Sequence, residues 1–237
     1  MKFKQISKNI YYLPQIKEKD YPNLGYIKGD NYSIMVDAGA SYKHVNSYNK
    51  SLIELGFEMP DFTIVTHWHW DHTFGMNALN SKTVVHEKTN EKLEEMSKWS
   101  WTRKDMNYRL KNNIDIPFAH DNILKEFNDL SEIKVLKGDI EFENNLKFDL
   151  GNLVVDVFHT EAPHSNDSVL IYVAKDKVLF LGDCISKDYY NNMYYDLEKL
   201  NILIKNLEKI DFEIGILGHN DPIEKENLIN VLKSFLK

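Results

Sequence analysis

Three histidines and an aspartate fall within six positions of FTIVTHWHWDHTFG, Phe62 to Gly75, directly after an apolar run. In an extended or tightly turned backbone, His67 and His69 are two residues apart and project to one side, while Asp71 and His72 continue around the turn. One loop therefore gathers four donor groups. Neutral imidazole nitrogen and carboxylate oxygen are ligands for zinc, and also for iron or manganese. A lone histidine here would read as a turn residue bonded to backbone, whereas H-x-H-x-D-H behind a buried strand reads as a metal site. Three more donors stand at the ends of apolar runs: His164 in EAPHSNDS, Asp183 in FLGDC and His219 in ILGHN. Strand exits gather along one edge of layered sheets, so these residues are expected to meet the first loop in one cleft.

The elements that must position them can be read from spacing. Short strands are expected at Ile10 to Leu13, Gly25 to Lys28 and Tyr32 to Val36, with KGDN at Lys28 to Asn31 as a hairpin turn. Val45, Tyr48, Leu52 and Leu55 recur at helical spacing, Gly56 sits at a C-terminal cap, and Phe62 to Val65 returns to strand. From about residue 88 to 130 the chain is charged and helix-favouring, carrying Trp99, Trp101, Tyr108, Phe118 and Phe127, and it reads as a mostly helical insertion. Strands resume at Leu153 to Phe158, Ser168 to Val173 and Lys177 to Leu181, the last two joined by a tight AKD turn. Asp196 caps a helix striped by Leu200, Leu203 and Leu207, and Ile214 to Leu217 reads as one more buried strand. The closing helix is expected to begin with Asp221 as cap and Pro222 in its first turn. Two sheets packed together with helices outside is the α+β arrangement these runs suggest. With no Pro/Gly/Ser-rich linker, one domain over residues 1–237 is expected.

Bulk properties narrow the partners. The 237 residues, 43% hydrophobic, are enough to bury a substantial core. A formal charge of −7 with scattered basic residues offers no surface for nucleic acid or anionic membrane, so a small-molecule substrate is expected. One cysteine, Cys184, forms no internal disulfide, and the opening MKFKQISKNIYYLPQ lacks the apolar run of a secretory signal, which points to the cytoplasm. No apolar stretch approaches the roughly 20 residues of a membrane span. Oligomeric state is not legible.

Taken together, NLGYIKGDNYSIMVDAG with Asp37 and Gly39, THWHWDH, PHSNDSV, FLGDC and LGHND resemble the metallo-β-lactamase-fold superfamily of metallohydrolases, over nearly the whole chain. The resemblance implies a four-layer αββα sandwich with a dinuclear site at one edge, most simply two zinc ions. It implies His67, His69 and His164 on the first metal, Asp71, His72 and His219 on the second, Asp183 bridging, and Asp37 supporting from beneath. A metal-bound hydroxide would attack a small acyl-type substrate in β-lactamase-like fashion, with Asp71 orienting it as well as binding metal.

Cys184 and Lys187 sharpen and complicate this. Their spacing resembles β-lactamases in which a cysteine binds the second zinc and a lysine three residues later holds the substrate carboxylate. The chain departs from that pattern because His72 and Asp183 already supply the ligands of most other relatives. Cys184 thus stands as a possible additional ligand and Lys187 as a possible substrate contact. A thioester hydrolase of the glyoxalase II kind and an iron-dependent oxidoreductase of the sulfur dioxygenase type are the alternatives. A noncatalytic metal-binding domain is a third class.

Overall fold

Strands with apolar residues on both faces need a cover on each side, and that requirement organises the chain. In the computed structural model, which describes residues 2–236, the first sheet runs in sequence order through β1 (Lys4–Gln5), β2 (Ile10–Leu13), β3 (Leu24–Lys28), β4 (Ser33–Val36), β5 (Phe62–Ile64), β6 (Lys82–His86) and β7 (Ile140–Phe142). β1 to β4 pair antiparallel, and β4 to β7 pair parallel. Parallel neighbours need crossovers. These are α1 (Tyr42–Glu54), a segment containing the short α2 (Trp70–Thr73), and the stretch holding α3 (Glu87–Ser97), α4 (Arg103–Lys111) and α5 (Pro117–Glu126).

The second sheet comprises β8 (Asn145–Asp149), β9 (Val154–His159), β10 (Val169–Val173), β11 (Val178–Gly182), β12 (Ile214–Leu217) and β13 (Ile223–Glu224), in spatial order β13-β12-β11-β10-β9-β8. Only β11 and β12 pair parallel, across α6 (Leu197–Lys209), and α7 (Lys225–Ser234) closes the described chain. Ile34, Val36 and Ile64 from one sheet meet Val155, Ile171 and Phe180 from the other in the central core. The intervening Met35 faces away, packing with Tyr48 and Leu52 of α1. On the far side, Leu170, Leu179 and Leu181 pack under Leu200, Leu203 and Leu207 of α6 and Leu228 of α7. Each such aliphatic side chain contributes on the order of 1.5–3 kcal/mol by leaving water. The result is the expected αββα sandwich.

Caps fix the helix starts. Ser41 accepts the His44 N–H ahead of α1, and Asp196 accepts the N–H groups of Glu198 and Lys199 ahead of α6. The closing helix departs from expectation. Ile223 and Glu224 pair with Gly215 and Ile214, so the backbone groups that would have opened a helix are used by the sheet. α7 therefore starts at Lys225, with no side-chain cap bond. Among the described residues no helix is long and apolar enough to cross a membrane.

Candidate metal centre

The floor of the site is set where β4 and β5 end side by side. Asp37, just past β4, adopts a left-handed backbone, φ 63°, a conformation that aspartate tolerates better than most residues. Its buried carboxylate accepts the Thr66 backbone N–H at 2.7 Å and the Thr66 hydroxyl at 3.0 Å. It also lies 2.9 Å from Nδ1 of His72, which donates to it. Nδ1 of His67 lies 3.1 Å from Thr66 Oγ1. These bonds occupy one nitrogen of each ring and leave Nε2 free. The single turn of α2 swings Asp71 and His72 toward the same point, and Thr73 Oγ1 pins the turn by donating to the His69 carbonyl at 2.9 Å.

The second sheet delivers the other three donors. His164, in the loop after β9, donates from Nδ1 to the Lys187 carbonyl at 2.7 Å, so its Nε2 faces inward, 3.0 Å from His69 Nδ1. Asp183 follows β11, with Oδ2 3.7 Å from His72 Nε2, 3.8 Å from His164 Nε2 and 3.5 Å from His219 Nε2. His219 follows β12 and lies 2.9 Å from Asp71 Oδ2. Gly218 is required beside it, because an added Cβ would collide with the Asp183 carboxylate. Asn23 anchors this last loop by donating from Nδ2 to the carbonyls of Leu217 and Asn220, both at 2.7 Å.

The seven donors form three overlapping groups, His67/His69/His164, His67/His72/Asp183 and Asp71/His72/His219, in each of which the donor atoms lie within 4.8 Å of one another. Burial pushes the His67 and His69 rings well down, and neighbouring histidines add to this, so both favour the neutral, ligating form. Burial would raise Asp183, but His219 and His72 outweigh it and hold the carboxylate well below its usual range. For His219 burial acts downward, yet the Asp183 and Asp71 carboxylates lift it to about 9. The buried Nε2 of His67 has no hydrogen-bond partner, and that of His72 makes none of good geometry although Asp71 Oδ2 lies 3.2 Å away. Bare, buried imidazole nitrogens beside ionised carboxylates are costly without a cation, and the donor set fits a divalent metal.

Above the donors lies a cleft of about 480 Å³, bounded by His69, Asp71, Asp183 and His219 below and by Phe118, Tyr189 and Tyr190 on one side. Phe118 and Tyr189 stack at 6.0 Å between ring centroids although they are 55% and 37% exposed. Tyr190 sits deeper, its ring 5.0 Å from His69 and 4.6 Å from Trp68, and separates this cleft from a groove of about 410 Å³ that reaches His69 and His164 from the other side.

His67, His69, Asp71, His72, His164, Asp183 and His219 are thus brought together, and two other candidates are not. Cys184 points into the apolar layer with Leu200, Leu203 and Leu217, is buried, and belongs to none of the donor groups. Its neighbour Asp183 faces the cleft, so consecutive residues leaving β11 take opposite sides. Lys187 has an exposed side chain outside the cleft lining, and what it supplies is the backbone carbonyl that orients His164. His159 stacks on His86 at 3.9 Å and donates to the Asn166 carbonyl, an ordinary structural role. Asp20 escaped the sequence reading, with Oδ1 3.8 Å from His219 Nδ1. Burial, reinforced by Asp71, raises its carboxyl to about 7. No spacing signal marks it, because it reaches the site from a short turn distant in sequence.

The sandwich and its edge cluster define an αββα protein with a donor set that could hold metal. The family model of the metallo-beta-lactamase superfamily matches residues 19–188, and the chain belongs to that superfamily. No curated protein matches the chain. Among solved structures it is similar to a metallo-beta-lactamase from Pontibacter korlensis, with 17% identity, TM-score 0.66, and 98% of each chain covered. A motif mutant of a metallo-beta-lactamase from Cronobacter sakazakii shows 14% identity and TM-score 0.65 over 92% of this chain and 80% of that one. The stereoselective inverting sec-alkylsulfatase Pisa1 from Pseudomonas sp. shows 12% identity and TM-score 0.71 over 98% of this chain and 40% of that one. At these identities the likeness is one of fold.

Proposed function

We propose that the protein is a metal-dependent hydrolase that holds two divalent ions, zinc foremost, and acts on a small acyl-type substrate in β-lactamase-like fashion. The observation that carries this is the convergence of seven donors on one point, with the buried Nε2 of His67 unpartnered and that of His72 facing the carboxylates of Asp71 at 3.2 Å and Asp183 at 3.7 Å. His67, His69 and His164 would hold one ion, Asp71, His72 and His219 the other, and Asp183 would touch both. When bound, such ions supply Lewis acidity, acidifying a water and polarising an oxygen of the substrate.

The chain's own residues do the rest. Asp37 and the Lys187 carbonyl fix the tautomers of His72 and His164, so that each ring presents Nε2. Asp71, kept ionised by His72 and His219 against the effect of burial, is a cleft carboxylate placed to accept a hydrogen bond from the attacking water. The stacked Phe118 and Tyr189 give an apolar substituent a surface at the mouth. Lys17 is the only lysine or arginine lining this cleft among the described residues, and we assign to it, rather than to Lys187, the contact with a substrate anion. Thioester hydrolysis is a second reading, favoured by Asp183 facing the cleft while Cys184 lies in the core.

The test is elemental analysis followed by a hydrolysis screen on β-lactam, thioester, lactone and phosphodiester substrates. Zinc near two equivalents and chelator-sensitive turnover of an acyl substrate are expected. Iron retained after aerobic purification without zinc overturns the hydrolase reading in favour of oxidoreductase chemistry. Silence across the screen with both metals bound overturns catalysis. An Asp71→Ala protein with full metal content and full turnover removes Asp71 from its role.

A further inference from the structure

Asp167 is a fully buried carboxylate that belongs to none of the donor groups. It belongs to EAPHSNDS, three residues after His164, and has no ionic partner among the described residues. Its oxygens accept from three elements. Oδ2 accepts the Trp68 backbone N–H at 2.9 Å and the Thr89 hydroxyl at 2.7 Å, and Oδ1 accepts the Ser165 hydroxyl. Trp68 lies between His67 and His69, Ser165 follows His164, and Thr89 lies in α3. One carboxylate therefore ties the backbone of the first histidine pair to the loop of the third histidine, and ties both to a helix.

The arrangement is built for position. The Trp68 N–H fixes the peptide between two ligand-bearing residues, so its displacement moves both rings. The Ser165 carbonyl accepts the Ser168 hydroxyl at 2.9 Å, closing the His164 loop over Asp167. The Val169 N–H donates to the Thr66 carbonyl at 2.8 Å, so the two ligand segments are already adjacent and Asp167 locks their register. Among the described residues Asp167 itself makes no bond to Asp71, His72 or His219, which are held instead through Thr73 in the turn of α2, Asp37 beneath His72 and the Asn23-anchored loop.

We propose that Asp167 is a positioning residue that presets the His67/His69/His164 half of the centre, with Thr89 of α3 as its anchor, and leaves the Asp71/His72/His219 half largely independent. This rests on the two-ion reading. Residues that orient metal ligands from behind typically govern metal affinity by about 10–100-fold.

The test measures stepwise zinc affinity by competition with a chromophoric chelator, and the cobalt(II) absorption spectrum, on the full chain. His164→Ala identifies which equivalent belongs to the first half. Asp167→Asn keeps the size but replaces one acceptor oxygen by a donor, and it is expected to weaken that equivalent by about 10–100-fold while the other moves by less than about threefold. Thr89→Val, which touches no ligand, is expected to weaken the same equivalent by a smaller factor, and Thr89→Ser to restore it. Melting of the metal-free proteins separates position from stability. A lower melting temperature with both affinities unchanged overturns the proposal, as does equal weakening of both equivalents. Should Asp167→Asn not fold, the Thr89→Val and Thr89→Ser pair decides by the same criteria. A wild-type chain that binds no zinc or cobalt overturns the metal reading and this proposal with it, whereas intact two-step binding in every variant overturns this proposal alone.

Discussion

Replacing Asp37 by asparagine isolates one link in the site. The wild-type carboxylate accepts from Thr66 N–H, the Thr66 hydroxyl and His72 Nδ1, at 2.7, 3.0 and 2.9 Å. If the asparagine oxygen keeps the Thr66 N–H, its NH2 group faces the Thr66 hydroxyl, which can turn to accept, and the His72 imidazole N–H, where donor meets donor. His72 then loses its bond, or shifts its proton to Nε2 and blocks the metal-facing atom. A hydrogen bond to a charged group is worth about 1.5–3 kcal/mol, which at about 1.4 kcal/mol per tenfold is about 10–100-fold in affinity. The equivalent held by His72 should weaken by that factor, measured by zinc competition. For a chain of this size, about 2 kcal/mol lost from the metal-free fold lowers the melting temperature by roughly 4–8 °C. Asparagine is the informative choice because it tolerates the left-handed backbone at φ 63°. Asp37→Ala should be worse by about 1–2 kcal/mol through backbone strain alone. An Asp37→Asn protein that binds both zinc equivalents at wild-type affinity would show that His72 needs no support, and the reasoning would fail.

Burial holds the His44 ring, stacked on Tyr21, down at about 3 from an ordinary 6.5, so its contribution to stability is present above pH 6.5 and is lost as pH falls toward 3. By pH 4 this amounts to about 3 kcal/mol at 1.36 kcal/mol per unit; denaturant titrations should show a shallower acid slope for His44→Phe than for wild type, and identical slopes refute the assignment. Lys17→Ala should raise KM for anionic substrates by about two- to fivefold, the size of an exposed ion pair, with Lys187→Ala unchanged, and the reverse pattern in steady-state kinetics would restore Lys187. Cys184→Ser places a hydroxyl in an apolar layer and should cost about 1–3 kcal/mol while zinc stoichiometry stays the same. A fall in bound zinc would return Cys184 to the ligand set. The native thiol, buried and raised in pKa, should also resist a thiol-reactive dye until the protein unfolds.

Much of this was legible because the chemistry sits at strand exits, and buried strands advertise themselves. Phe62 to Ile64, Val178 to Gly182 and Ile214 to Leu217 are nearly unbroken apolar runs, and the donors stand within a few residues of their ends. The pairing of β10 with β11 followed from a tight turn, which is local information. Harder to read were features fixed by tertiary contact. β8 alternates exposed Asn145, Lys147 and Asp149 with half-buried Leu146 and Phe148, a pattern too short to stand out until β9 pairs with it. The start of α7 was displaced by pairing with β12, which outweighed a good cap at Asp221. Lys187 had the right spacing and the wrong direction: no sequence rule reveals that its carbonyl faces inward while its side chain faces solvent. Asp20 and Asn23 act on the His219 loop across nearly two hundred residues, a distance at which a single sequence carries no signal.

The division of donors between the two sheets also sets when the centre can exist. His67, His69, Asp71 and His72 come from the first sheet, and His164, Asp183 and His219 come from the second. As the chain is made from its N-terminus, the first four donors emerge early but none of the three donor groups that includes His164, Asp183 or His219 is complete. The Asp37 support for His72 is available by then, while the Asn23 anchor has no loop to hold until residues 217–220 arrive. Each donor group is therefore complete only once part of the second sheet has been made, and a chain cut short before Ile214 lacks His219 together with β12 and β13.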